Sequence, residues 1–129
     1  MSNNEFVNMT IQHHIKQEIA IKQLKINAIH KDIIRLKQEN RNIGDKVRSL
    51  FCHVSDNDCK AFTCTKSESY TYSDRIKRDL KTIDYLEKLQ MINSMLINKH
   101  RSKVKSLRSE LQELKKELNV LGDIKGGVK

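Results

Sequence analysis

The 129-residue chain has no Pro, no Trp and only four Gly; 32% of its residues are charged and 5% aromatic. So little aromatic area argues against a large close-packed core, and a charged sequence without breakers, apolar at helical spacing, reads as long helices and not as disorder. A net charge of +9 suits polyanionic partners such as nucleic acid, anionic membrane or acidic protein, although a solvated basic helix face produces the same balance. No stretch approaches the roughly 18 apolar residues of a membrane span. The N-terminal residues lack the basic and apolar regions of a signal peptide, and three Cys is an odd number that suits a reducing compartment. The expected setting is cytoplasmic or nuclear.

In chain order, residues 1–9 are expected to be a flexible N-terminus and 10–50 a first coiled-coil helix. Ile26, Ile29, Ile33, Leu36, Ile43, Val47 and Leu50 alternate spacings of three and four, with Asn40 in the remaining slot. These are heptad a and d positions, and Asn40 falls at a. A helix over 10–50 would span about 60 Å. Additional apolar residues, Ile21, Leu24, Ala28 and Ile34, lie off this stripe.

Residues 51–72 are expected to be a connector. It holds all three Cys and a Ser55-Asp56-Asn57-Asp58 run, whose side chains compete for backbone hydrogen bonds and favour turns. Cys52, His53, Cys59 and Cys64 offer four potential ligands, the number zinc takes in a tetrahedral site, but no Cys-x-x-Cys knuckle is present. A Cys52–Cys59 disulfide and free thiols packed beside Phe51 and Phe62 are the alternatives.

Residues 73–121 are expected to be a second coiled-coil helix, capped by Ser73 and stopped by Gly122, with a flexible tail over 122–129. Its stripe runs through Ile97, Val104, Leu107, Leu111, Leu114, Leu118 and Leu121, with His100 in one slot. Between 85 and 96 a shifted stripe of Tyr85, Leu89, Ile92 and Leu96 takes over, while Gln90 and Asn93 occupy the original register. That is the signature of a stutter.

The expected architecture is all-α: two long heptad helices in an antiparallel hairpin that oligomerises into a coiled-coil bundle. A helix apolar over most of its circumference needs more than one partner. Reversal about residue 61 or 62 would pair Ile26 with Ile97, Ile34 with Leu89 and Leu50 with Ser73. The rival is a parallel oligomer, for which an a-position Asn40 is the usual register device. Under either reading the fourteen seam positions are Ile26, Ile29, Ile33, Leu36, Asn40, Ile43, Val47, Leu50, Ile97, Val104, Leu107, Leu111, Leu114 and Leu118. The order helix, Cys-containing connector, helix, with Cys52 and Cys59 separated by six residues, superficially resembles the core of a class I viral fusion subunit; no residue role follows from that likeness.

By segment the net charge is +4 over 1–50, −1 over 51–72 and +6 over 73–129. The densest basic run is Lys99, Arg101, Lys103, Lys105 and Arg108, with no acid among them. On a helix these can track phosphates without reading bases. No Walker, Rossmann or His-Glu-x-x-His pattern occurs, and scattered carboxylates offer no acid–base pair. The functional expectation is a non-enzymatic assembly or adaptor protein that self-associates or binds partner helices, without a small-molecule substrate. The alternative is a basic helical protein binding nucleic acid, duplex RNA included, through sequence-independent phosphate contacts.

Overall fold

The computed structural model describes residues 3–63 and 65–127. Two α-helices, α1 (Asn3–Thr63) and α2 (Lys66–Gly127), pack against each other as an antiparallel helical hairpin. No helix of the described residues is long and apolar enough to cross a membrane. Packing divides the chain into a terminal unit, residues 1–33 with 99–129, and a central unit, residues 34–98.

In the terminal unit Ile26 packs with Val104, Leu107 and Leu111, and Ile19 and Ile29 close over them. Branched aliphatic side chains meeting every three or four residues put one face of each helix out of water, at roughly 1.5–3 kcal/mol per buried side chain. In the central unit Ile43, Val47 and Ile83 form the buried cluster, flanked by Leu50, Val54, Leu86 and Leu89.

The central unit also contains a polar layer. Asn40 Nδ2 donates to the Gln90 carbonyl and to Ser94 Oγ, both at 3.3 Å. Asn93 Nδ2 donates to Asn40 Oδ1 at 3.0 Å, and Gln90 Nε2 to the Asn40 carbonyl at 3.1 Å. Asn93 is the buried polar residue here. Opposite Gln90 stands Gly44, where a Cβ would lie 3.3 Å from Gln90 Nε2; the missing side chain gives the amide room to reach α1. Asn40 therefore sets register between the two helices of one chain, and Gln90 and Asn93, read as a stutter, are its partners.

The helices extend beyond the ranges that periodicity suggests. Residues 51–63 continue α1 and 66–72 open α2, so most of the expected connector is helical, as is the N-terminal stretch from Asn3. Gly122 continues α2, and among the described residues no glycine has positive φ. Ser73 lies inside α2 and does not cap it. The Thr65 carbonyl instead accepts from Ser69 N–H at 2.9 Å, the first bond of α2. At the end of α1, Thr63 Oγ1 donates back to the carbonyls of Cys59 and Lys60 at 3.4 and 3.3 Å, one turn below it.

Because the chain reverses between Thr63 and Lys66, pairing shifts from the expected register. Ile26 meets Val104, Leu107 and Leu111 where Ile97 was expected. Leu50 and Leu89 both border the Ile83 cluster, and Ile34 is exposed.

Of the expected seam, Ile26, Ile33, Leu36, Ile43, Val47, Ile97, Val104, Leu107 and Leu111 are buried, and Ile29, Asn40, Leu50, Leu114 and Leu118 half-buried, all within a single chain.

Candidate functional site

The basic run of α2 wraps around its helix, and packing on α1 sorts it into two flanks. At about 100° per residue, Arg101, Lys105, Arg108, Gln112 and Lys115 share a sector of about 80°. Lys99 and Lys103 fall on the other side of the stripe formed by Val104, Leu107 and Leu111. All five residues of the expected polyanion group are exposed.

On the first flank, Arg101, Lys105 and Arg108 line a shallow depression of about 320 Å³ together with His30 of α1. Arg108 Nη2 lies 3.2 Å from His30 Nε2. A guanidinium can only donate, so the imidazole nitrogen accepts. No carboxylate lines this depression to offset the Arg108 charge. A second depression continues along the same edge, lined among others by Gln23, Asn27 and Lys115. No carboxylate lines either depression.

The opposite flank differs. Lys22 Nζ donates to Glu110 Oε2 at 2.7 Å, joining α1 to α2. This hydrogen bond and the Lys22 charge hold the Glu110 carboxyl below its ordinary value, with smaller help from Lys103 and Lys25. Lys103 therefore sits in the field of a carboxylate, an environment unlike that of Arg108.

The central unit has its own charged depression, where Asp56 and Asp79 accompany Lys60, Arg75 and Arg78. Opposite charges there offset one another. The Arg75 guanidinium also lies 5.5 Å above the Tyr72 ring, within cation–π range. The arrangement offers no net field comparable to the edge of the terminal unit.

Of the expected metal ligands, the described ones, Cys52, His53 and Cys59, do not converge on one point. Cys52 and Cys59 are exposed free thiols, and on one continuous helix their seven-residue separation places them about 10 Å apart along the axis. That exceeds disulfide reach and prevents the two from sharing a tetrahedral ion. His53 is exposed on the same helix, and Cys64 lies outside the described residues. Among the described residues no group of three or more His, Cys, Asp or Glu is placed to hold a metal ion.

No family model, curated protein or solved structure matches the chain.

His30 was not legible as part of the site, because its 78-residue separation from Arg108 hides the pairing until the register is known. His100, a candidate seam residue, is half-buried.

Proposed function

We propose that this chain is a non-enzymatic assembly protein whose hairpins associate with further copies through a second apolar face. The observation that carries the reading is a stripe on α2 in the central unit. Tyr85, Ile92, Met95 and Leu96 are 61%, 52%, 65% and 38% exposed. Tyr85, Leu89, Ile92 and Leu96 repeat at spacings of four, three and four, the period of a helix-contact surface. Leu89 is half-buried against the intrachain cluster, so the exposed stripe borders the seam without interruption.

Surface area supports the same reading. The chain exposes 9971 Å², whereas a compact monomer of this size exposes about 7,100 Å². Covering part of that excess by association removes apolar side chains from water that a two-helix fold cannot bury alone. Free exposed thiols at Cys52 and Cys59 suit a reducing, cytoplasmic or nuclear setting.

Light scattering on the purified chain tests the proposal. The expected mass is a multiple of one chain, falling to one chain in the Ile92→Glu/Met95→Glu variant with helicity retained. A wild-type chain that stays single at tens of micromolar contradicts it.

A further inference from the structure

We infer that the edge of the terminal unit carrying His30, Arg101, Lys105, Arg108 and Lys115 is a binding site for the phosphodiester backbone of duplex nucleic acid. It is separate from the apolar stripe proposed for assembly, and neither proposal depends on the other.

Three observations lead there. First, the cations form a row rather than a pocket: from Arg101 to Lys115 the helix rises about 21 Å, too long for one phosphate but suited to a polymer with a charge about every 1.7 Å. Second, no carboxylate lines this edge, and Arg108 contacts a ring nitrogen of His30 and not an acid, so its charge is open to a ligand. Third, the spaces between the cations are filled by amide and hydroxyl groups such as Gln112 and Ser109, which hydrogen-bond phosphate and sugar oxygens.

The same lining disfavours other polyanions. Ile33 and Val104 reach the depression but are buried in the seam, leaving no bulky apolar side chain to enter a bilayer. No aromatic residue lines the edge, so single-stranded bases have no stacking platform. Recognition therefore rests on phosphates and is independent of sequence.

The test is binding of the full chain to a labelled duplex of about 20 base pairs over a range of salt. Four contacts predict a log–log salt slope near −3.6, from about 0.9 per phosphate neutralised. The Arg101→Gln/Lys105→Gln/Arg108→Gln variant should bring the slope to about −1 and weaken low-salt binding at least about tenfold. Lys99→Gln/Lys103→Gln, on the opposite flank, should leave the slope unchanged. Gln112→Lys adds a cation to the row and should steepen it by about 0.9, which tests the site through a gain even if the triple variant folds poorly. Equal losses from both groups of substitutions would overturn the inference, since net charge alone would then explain binding. So would a flat salt response, or equal affinity for polyglutamate, anionic vesicles or single strands with the same residue dependence.

Discussion

At the residue scale, Asn40 shows how one polar side chain fixes a helix pair. Its amide gives and accepts hydrogen bonds across the seam to Gln90, Asn93 and Ser94, and sliding α2 by one turn would leave the buried Asn93 without its acceptor. Asn40→Leu should cost about 1–3 kcal/mol in urea unfolding, the cost of an unsatisfied buried amide. Asn40→Leu/Asn93→Leu should cost less than the two single changes added together, because neither polar group then remains alone. Strict additivity would show that the amides do not interact in solution. Lys22 and Glu110 act differently, being partly exposed on the flank. Since the Glu110 carboxyl is depressed in the folded state, its contribution is present above the unfolded carboxyl value and disappears as pH falls through the folded one. Glu110→Gln should therefore lower Tm at neutral pH, with the difference lost in acid as pH falls through the folded carboxyl value and shrinking in high salt. A Tm difference that persists in acid would assign the effect to packing instead.

At the element scale, the three-four spacing of the apolar residues was legible because an α-helix presents one face at that period. On that period, the residues from Ile26 to Leu50 and from Val104 to Leu118 are buried or half-buried within the chain. The extent of the helices was less legible. Ser55, Asp56, Asn57 and Asp58 favour turns only weakly, at tenths of a kcal/mol each against a helix, and extension of α1 overrides them. The absence of Pro and Gly from 51–72 was the better signal. Thr65-Lys66-Ser67-Glu68 has the capping-box pattern, and it, not Ser73-Asp74, marks the start of α2. Once the reversal moves to that point, every cross-helix pair shifts, which is why Ile26 meets Leu107. The basic site was legible as a run of charge but not as an edge, because adjacent cations on a helix face different directions. Leu107, buried at the centre of its cluster, should lose about 2–5 kcal/mol on replacement by Ala. Leu24→Ala, at an exposed position of α1, should cost well under about 1 kcal/mol. Comparable unfolding midpoints for the two variants would refute the assignment of faces.

At the scale of the whole molecule, apolar surface falls into a buried and an exposed set. One stripe on each helix is buried within the chain, whereas Tyr85, Ile92 and Met95 of the central unit stay exposed and Arg101, Lys105 and Arg108 line an edge of the terminal unit. This separation follows from the length of an uninterrupted helix, which turns several faces to its surroundings and can bury only one against a single neighbour. Each chain closes its own seam. The most direct test of this closure is the denatured, non-reduced mass of an Ile26→Cys/Leu107→Cys variant in which Cys52, Cys59 and Cys64 are replaced by Ser. An antiparallel intrachain seam predicts a disulfide within one chain, at the mass of a monomer, even when the native protein is an oligomer; disulfide-linked dimers alone would contradict it and restore the parallel arrangement.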